Sequence, residues 1–343
     1  MGETYLFLNI MGVAIRDILA DYKTPVAWDK IPGIAAIDGN NTLYQFLTII
    51  RQPDGTPLMD HEGRITSHLS GLFFRISGFI EKGIQPVFIF DGKPPVFKED
   101  TVVKRREVRE RAREAWTRAV EEGDIKEAYK QARSATRVDS SIIESSKNLL
   151  GLMGIPVIDA PSEGEAQAAV MVQRGDVSYS VSQDYDSLLF GATKLIRNLT
   201  VSGKRKIRGR TITVSPERII LSDLLDGLGI NREELIEIGI LIGTDFNEGI
   251  RGVGAITALK LVKKGEFVKS IRKKTPEFDP DPVKEFFLNP PHITGYNLKW
   301  SSPDENGLYE MLCGMHDFSG TRVQTVLEKM SASSDQKTLD QWF

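Results

Sequence analysis

Several short apolar runs in this chain end in an aspartate, and each adjoins a segment with a helical pattern. GIAAID at 33–38 and PVFIFD at 86–91 end in aspartate, and PVIDAP at 156–161, with Asp159 inside it, and VSYSVSQD at 177–184 look similar. Strands that alternate with helices favour a parallel sheet. We therefore expect an α/β fold with a central, mostly parallel twisted sheet flanked by helices. The length of 343 residues allows one large α/β domain with insertions or two to three compact units.

Acidic residues are concentrated in short motifs at or beside these predicted strand ends. Seven of them stand out: Asp38, Asp91, Glu163, Glu165, Asp184, Asp186 and Asp245. Ligands bind beyond the carboxyl ends of the strands in open α/β sheets, so the fold would gather several of these side chains. So many anions cannot all stay ionised at close range without cations. Oxygen ligands without histidine or cysteine suit Mg²⁺ or Mn²⁺, so we predict a carboxylate-lined divalent-metal site.

Two pairs within this set have local interpretations of their own. Asp184 and Asp186 are two residues apart, a spacing that places both on the same side of an extended chain. Ser162 to Glu165 reads S-x-x-E, which is also a capping box for the helix that follows. In that alternative Glu165 caps its own helix, while Glu163 favours the helix dipole. Capping and metal binding can coexist, because the helix N-terminus faces the same crevice.

Basic residues are distributed unevenly, although the net charge is only -3. Residues 104–113 hold six basic and two acidic residues, 204–210 hold five basic residues, and 260–274 hold seven basic residues and one acidic residue. The ordinary interpretation of one such patch is a solvated face. Three patches together with an acidic metal site favour a polyanionic phosphate partner.

Two further segments have a distinct organisation. Residues 98–150 are rich in alternating basic and acidic residues and interrupt the strand–helix pattern. Such a segment is either an exposed helix with many i,i+4 ion pairs or one that orders around a ligand.

Residues 233–263 predict a helix, a glycine-rich turn with Gly252 and Gly254, and a second helix. The turn exposes backbone N–H groups that can bind a phosphate.

The C-terminal region divides into two parts. Residues 276–330 carry proline and aromatic residues without a chemical motif, and we expect them to pack on the core. The polar tail that follows ends in QKTLDQWF, where Leu339, Trp342 and Phe343 are spaced i, i+3, i+4. This spacing predicts a peptide that docks into a hydrophobic pocket of a partner. The alternative is that Trp342 and Phe343 fold onto the protein's own surface.

The composition indicates where in the cell the protein is expected. Cys313 is the one cysteine, so no disulfide forms within the chain and a reducing, cytoplasmic location is expected. The N-terminal apolar run lacks the basic region and the small-residue cleavage site of a signal peptide. No run approaches the length of a membrane span. The four histidines lie outside the acidic motifs, and we treat them as structural.

Taken together, the motifs LYQFL, GRITSHLSG, FDGKPP, APSEGEAQAA, QDYDSLLFG and LIGTDFNEGIRGVG resemble one family in order and spacing. The chain resembles the archaeal flap structure-specific endonucleases (flap endonuclease one) of the 5′ nuclease superfamily. The resemblance extends from about Met11 to Phe343, and ten residues precede it. It implies a nuclease core over 1–275, with a helical arch at 98–135 and a helix–two-turn–helix DNA-binding element at 233–263. It further implies a flexible clamp-binding tail over 331–343.

The resemblance also implies roles for individual residues. Asp38, Asp91, Glu163 and Glu165 would bind one metal ion, and Asp184, Asp186 and Asp245 a second. Lys98 and Arg105 would be catalytic, gripping the scissile phosphate at the start of the arch. The residues assigned to DNA contact are Tyr44, Arg51, Thr66, Arg75, Gly252 and Gly254. Gln336, Leu339, Trp342 and Phe343 would bind the sliding clamp, and a K⁺ ion would lie at the turn from Gly249 to Val253.

The implied activity is hydrolysis of DNA phosphodiesters at 5′ flaps, with 5′–3′ exonuclease activity, in Okazaki fragment maturation and repair. The implied partners are two Mg²⁺ ions, replaceable by Mn²⁺, branched or flap DNA and the sliding clamp (proliferating cell nuclear antigen). A monomer acting at the nucleoid of a prokaryotic cell, without a membrane, is expected. One alternative is a metal-dependent phosphatase, which leaves the basic patches and the tail without a purpose. Another is a non-catalytic junction-binding module, which leaves seven acidic residues repelling DNA without benefit.

Overall fold

The computed structural model describes residues 12–201, 203–207 and 210–340. The strands are β1 Thr24–Pro25, β2 Gly33–Asp38, β3 Ile84–Phe90, β4 Val157–Asp159, β5 Tyr179–Val181, β6 Lys194–Arg197, β7 Gly203–Ile207, β8 Arg210–Val214 and β9 Glu217–Ile220. The α-helices are α1 Gly39–Ile49, α2 Ser67–Gly71, α3 Ser77–Ile80, α4 Glu99–Glu121, α5 Ile125–Ser134, α6 Ser140–Leu152, α7 Gly164–Arg174, α8 Asp186–Leu189, α9 Leu221–Leu228, α10 Arg232–Ile242, α11 Ala255–Lys263, α12 Phe267–Lys274, α13 Asp281–Leu288, α14 Glu305–Tyr309 and α15 Gly320–Asp340. Leu72–Ile76 and Glu310–Met315 are π-helical. None of the described helices is long and apolar enough to cross a membrane.

Seven strands form one sheet in the order β1-β9-β6-β5-β2-β3-β4, and β7 and β8 form a separate hairpin. The strands from β6 to β4 are parallel, whereas β9 is antiparallel to both of its neighbours. This arrangement confirms the predicted α/β class with a mostly parallel sheet. Asp38 lies opposite Ile89, and Ile37 lies opposite Val181, so β2, β3 and β5 end at the same edge.

The core lies on both faces of this sheet. Residues Ala35 to Ile37 and Val87 to Phe90 are at most 1% exposed, which explains why their sequences are apolar without alternation. One face packs against α1, the helical stretch 67–80 and α6. The other packs against α7 and the segment around Trp300, whose indole Nε1 donates to the carbonyl of Pro86 at 2.7 Å. The segment after α13 therefore packs on the central sheet.

The charged segment between β3 and β4 contains a helical hairpin made of α4 and α5. Gly123 has φ +72° in the connection, and the Asp124 side chain caps α5 by accepting from the N–H groups of Lys126 and Glu127. Small side chains are buried along both helices: Ala112, Ala119, Ala128 and Ala132. The hairpin thus has a narrow alanine seam, while apolar residues such as Val103 and Ile125 remain exposed. The proposal that it orders around DNA stays a prediction.

Helix α15 continues through Asp340, so the backbone of most of the predicted tail is helical. The side chains of Gln336 and Leu339, and the residues Trp342 and Phe343, lie outside the described residues.

The contact between α1 and α2 provides a test of the packing. A Cβ atom at Gly71 would overlap the ring of buried Phe46, whereas Gly151, in α6, has open space around it. We expect Gly71→Ala to lower the free energy of unfolding by about 1–3 kcal/mol, because overpacking forces shifts in a dense core. Gly151→Ala, the matched control, should raise it by roughly 0.5–1 kcal/mol because alanine favours helix. Denaturant titration measures both, and a Gly71→Ala protein as stable as the wild type would contradict the packing.

Candidate active site

One cavity lies at the carboxyl edge of the sheet. Its lining consists of Asp38, Asn40, Asn41, Asp91, Lys98, Arg105, Glu163, Glu165, Asp184, Asp186, Phe190, Asp245 and Phe246. All seven predicted acidic residues and both predicted basic residues are therefore brought together. Tyr44, Arg51, Thr66, Arg75, Gly252 and Gly254 do not belong to this lining.

Asp38 and Asp91 reach the cavity because they stand where β2 and β3 end. Asp38 also begins α1 as its N-cap, and its Oδ1 accepts from the N–H of Asn41 at 2.9 Å. Asp91 accepts from the N–H of Gly164 at 2.7 Å, across 73 residues of sequence. Each aspartate thus accepts from an N–H group at a helix N-terminus and also lines the cavity.

The predicted capping box at Ser162 to Glu165 is wrong. Helix α7 begins at Gly164 with Glu163 as N-cap, and no side-chain capping bond forms there. At this helix start Asp91, and not Ser162, accepts from a backbone N–H, that of Gly164. Glu163 is therefore available to pair with Lys98, and Glu165 lies 3.3 Å from the hydroxyl of Ser187.

Asp184 and Asp186 converge for a reason other than strand alternation. Strand β5 ends at Val181, Asp184 lies in the following loop, and Asp186 begins α8. The amide of Asn41 donates to Asp184 Oδ2 at 2.6 Å, and the N–H of Val13 donates to Asp186 Oδ1 at 2.7 Å. The pair is thus oriented by contacts from distant segments, and the expected extended geometry was wrong.

Asp245 lies in a tight turn between α10 and α11. The N–H of Thr244 donates to the carbonyl of Asn247 at 2.9 Å, and the Thr244 hydroxyl donates to Asn247 Oδ1 at 2.8 Å. The Asn247 amide in turn donates to the carbonyl of Ile240 at 2.7 Å. Next to Asp245, the ring of Phe246 packs 5.0 Å from that of Phe286. Polar and aromatic contacts on either side therefore fix the position of Asp245.

Two basic side chains from the start of the hairpin enter the acidic cluster. The Lys98 ammonium is 2.5 Å from Glu163 Oε2 and 3.7 Å from Asp245 Oδ2. Arg105 pairs with Asp245, and the side chains in these pairs are only 12–17% exposed. Seven carboxylates thus face two cations in the same cavity, which leaves a large excess of negative charge.

This excess changes the protonation of the carboxyl groups. Burial, and then the neighbouring carboxylates, raise the pKa values of Asp38, Glu165 and Asp186 well above their usual range. Burial and the charge of Asp245 raise the pKa of Asp184 to about 6. Burial opposes the charged form of Lys98, but Glu163 and Asp245 outweigh it and raise the pKa of that ammonium.

The donor set fits hard divalent ions. All seven acidic side chains offer oxygen, and the cavity lining contains neither histidine nor cysteine. Among the described residues, no group of three or more acidic, histidine or cysteine side chains is spaced closely enough to hold a metal ion as it stands. Lys98 and Arg105 lie among the carboxylates instead, as partial counter-charges. Binding of divalent ions would supply the remaining positive charge.

The predicted DNA-contact residues lie elsewhere in the fold. Arg51 donates to the carbonyls of Leu47 and Gly55 and to the hydroxyl of Thr136, so it links α1 to the base of the hairpin. Thr66 is buried at the start of α2, and burial lowers the pKa of Arg75. Tyr44 is half-buried on α1.

The glycine-rich turn has an open surface. Gly252 has φ +83°, and Gly254 is the N-cap of α11. Both have free space where a side chain would stand. A DNA role for these two glycines, as for the other DNA-contact residues, stays a prediction.

The histidines form contacts outside the cavity. His61 pairs with Asp317 and His316 with Asp60, each at 2.8 Å, and His68 bonds the hydroxyl of Ser145.

Sequence reasoning missed three residues that orient the cavity: Asn41, Thr244 and Asn247. Asn41 follows Asp38 by three residues, which is the spacing of an N-cap interaction and could have been noticed. No sequence signal marks the bond of Asn247 to Ile240.

The raised pKa of Glu165 leads to a stability prediction for the metal-free protein. The pKa of Glu165 is higher in the folded state than in the unfolded state. At high pH the ionised Glu165 carboxylate therefore lowers the free energy of unfolding. This destabilisation decreases as the pH falls and is absent below the pKa of the unfolded state. In EDTA at pH 8 we expect Glu165→Gln to raise Tm by roughly 2–4 °C, and the gain should shrink toward pH 5. Mg²⁺ should raise the Tm of the wild type more than that of the variant.

The matched control is Glu144→Gln, an exposed residue of α6 outside the cavity, which should leave Tm unchanged at both pH values. A lower Tm for metal-free Glu165→Gln at pH 8 would show that the carboxylates do not repel one another as the geometry requires.

Comparison with known proteins shows the family of this chain. Residues 14–112 match the XPG N-terminal domain, and residues 154–245 match the XPG I-region. Flap endonuclease 1 of Methanoculleus marisnigri is 63% identical over 333 residues, which are 97% of this chain and 100% of the relative. Flap endonuclease 1 of Pyrococcus furiosus is 51% identical over 340 residues, covering 97% of this chain and 99% of the relative.

Solved structures show the same fold. Flap endonuclease-1 from Methanococcus jannaschii superimposes with a TM-score of 0.75 at 37% identity, covering 93% of this chain and 99% of that one. The catalytic core of Rad2 in complex with DNA substrate shares the fold, with a TM-score of 0.69 at 24% identity and coverage of 92% and 99%. The resemblance stated from the motifs is confirmed, and the chain belongs to the flap endonuclease 1 family.

Proposed function

We propose that this protein hydrolyses DNA phosphodiesters where single-stranded and double-stranded DNA meet. It would act as a structure-specific 5′ flap endonuclease with 5′–3′ exonuclease activity, in Okazaki fragment maturation and repair at the nucleoid. The observation that carries the proposal is the single cavity that contains seven carboxylates, Lys98 and Arg105. The names of its relatives support it.

Two divalent ions, Mg²⁺ or in its place Mn²⁺, fit the carboxylates. Asp38, Asp91, Glu163 and Glu165 would hold one, and Asp184, Asp186 and Asp245 the other. When bound, such ions supply Lewis acidity and activate water at neutral pH. The protein's own contribution is to keep the oxygen donors oriented, through Asn41 for Asp184 and through the N–H of Gly164 for Asp91.

Lys98 and Arg105 would bind the scissile phosphate. Both come from the start of the hairpin, and the raised pKa of Lys98 keeps its ammonium protonated at neutral pH. In the structure they pair with Glu163 and Asp245, so an arriving phosphate replaces those carboxylates as their partner. Such fixed positive charges typically contribute about 10²–10³ in rate.

The remaining surfaces suit a bent duplex. The turn at Gly252 and Gly254 has an open backbone whose N–H groups suit a phosphate, and the basic residues of α11 and α12 follow it in the sequence. We assign a K⁺ ion to the Gly249–Val253 turn and base stacking to Tyr44. Arg51, Thr66 and Arg75 would support the DNA path around the base of the hairpin. Phosphate contacts of this kind position DNA without reading its sequence.

A cleavage assay tests the function. We expect incision of 5′-flap DNA at the junction with Mg²⁺, no incision in EDTA, and at least a 10²-fold loss in Asp184→Asn, since a proposed ligand is removed. Asp159→Asn is the matched control, because Asp159 also ends a strand but pairs with Lys147 outside the cavity. Metal-independent cutting, equal loss in both variants, or hydrolysis of small phosphate esters alone would contradict the proposal.

We also propose that the tail binds the sliding clamp through Gln336, Leu339, Trp342 and Phe343, with the enzyme itself a monomer. The Q-x-x-h-x-x-a-a pattern supports this assignment. Deleting 336–343 should abolish stimulation by the clamp and leave cutting of the same DNA without clamp unchanged. Thr338→Ala, at a variable position of the pattern, should behave as the wild type in both reactions. Full clamp stimulation of the truncated protein would disprove the assignment.

A further inference from the structure

An aromatic cluster lies directly behind the cavity, and we call it the Phe286 cluster. Its members are Phe97, Phe190, Phe246, Phe286 and Phe287. The ring centroid of Phe286, in α13, lies 5.3 Å from that of Phe97 and 5.0 Å from that of Phe246. Phe286 is 8% exposed, and its neighbours Phe190 and Phe246 line the cavity. Helix α13, which carries no sequence motif of its own, therefore reaches the wall of the cavity.

The cluster joins two of the segments that supply charged groups to the cavity. Phe97 immediately precedes Lys98, and Phe246 immediately follows Asp245. The Phe97 ring is nearly perpendicular to both of its partners, at 88° to Phe246 and 80° to Phe286. Aromatic pairs prefer this edge-to-face geometry. The base of the hairpin and the Asp245 turn thus meet on one aromatic surface.

Lys98 is tied to the cluster at both of its ends. The segment Val96–Lys98 forms a single 3₁₀ turn, in which the N–H of Lys98 donates to the carbonyl of Pro95 at 3.0 Å. The Lys98 ammonium lies 5.5 Å from the centroid of the Phe246 ring, which is within the range of a cation–π contact. The Phe97 ring therefore fixes where the Lys98 side chain starts, and the Phe246 ring contacts its charged end.

Helix α13 is itself attached to α10, the helix that leads into the Asp245 turn. The ammonium of Lys284 is 2.8 Å from Glu237 Oε1 of α10. Arg232, also in α10, donates to the carbonyl of Phe287 at 2.6 Å. Helix α13 and the Asp245 turn therefore form one packed unit, whose aromatic face supports the hairpin base.

We propose that Phe286 and Phe97 are positioning residues for Lys98, because they dock the base of the hairpin on α13. This inference rests on the proposed function, in which Lys98 binds the scissile phosphate. The ion pairs of Lys98 and Arg105 with the carboxylates are exchanged when the phosphate arrives. The aromatic contacts involve no charge that the phosphate replaces, so they keep Lys98 in place during that exchange.

The alternative is that the cluster only stabilises the core, and the chain contains a matched example of that role. Phe79 is 2% exposed, and its ring centroid lies 5.4 Å from that of Trp28. Helix α3, which carries Phe79, directly precedes β3, so the pair lies at the amino edge of the sheet, opposite the cavity. Phe79→Leu therefore removes a buried ring pair without affecting the hairpin base.

The test measures the single-turnover rate of 5′-flap cleavage with Mg²⁺ and, separately, the affinity for the same DNA in EDTA. We expect Phe286→Leu and Phe97→Leu each to lower the rate by about 10- to 10²-fold, the loss typical of a displacement of about 1 Å in a reacting geometry. The affinity should stay near the wild-type value, because the remaining DNA-contact surface is unaltered. Phe79→Leu should lower Tm as much as Phe286→Leu does and leave the rate unchanged.

A Lys98→Ala background separates positioning from general damage to the site. Phe286→Leu should cause no further loss of rate there, because the group that it positions has been removed. An undiminished loss in that background, or a wild-type rate for Phe286→Leu alone, would overturn the inference while the nuclease assignment stands. Failure of the wild type to cut flap DNA would overturn the nuclease assignment instead. If Phe286→Leu does not fold, Phe97→Leu, whose ring is only half-buried, decides by the same comparison.

Discussion

The repulsion among seven carboxylates at one sheet edge is the constraint on which the rest of the structure depends. Burial and like charge raise the pKa values of Asp38, Glu165 and Asp186, so the cavity is unfavourable without positive partners. Lys98 and Arg105 supply part of that charge from the start of the hairpin. Ion pairs thereby attach the base of the hairpin to the cavity.

Different kinds of element present the carboxylates, and each needs its own support. Strand ends carry Asp38 and Asp91, helix starts carry Glu165 and Asp186, and a tight turn carries Asp245. Hydrogen bonds from backbone N–H groups and from Asn41 orient these oxygens across long stretches of sequence. A preorganised donor set of this kind reduces the rearrangement needed when ions and phosphate bind.

Much of the fold could be predicted from local pattern. The apolar runs at 33–38 and 86–91 became β2 and β3, and the helix–turn–helix at 233–263 appears as α10 and α11. The two local explanations for the acidic pairs were wrong. The expected capping box did not form at α7, where Asp91 from another segment bonds the N–H of Gly164, and β5 ended before Asp184. At both places the acidic side chains have hydrogen-bond partners from distant segments. The periodicity of apolar residues in the sequence carries no information about such partners.

The sequence by itself determined that acidic residues follow buried strands, because the period of apolar residues sets strand and helix positions and parallel strands share a carboxyl edge. Only the tertiary structure decided which charges meet. Lys98 pairs with Glu163 across 65 residues, and Lys23 and Arg197 share the ring of Tyr185. These contacts depend on strand order and register over the whole sheet, which pairs segments far apart in the chain and leaves no trace in local spacing.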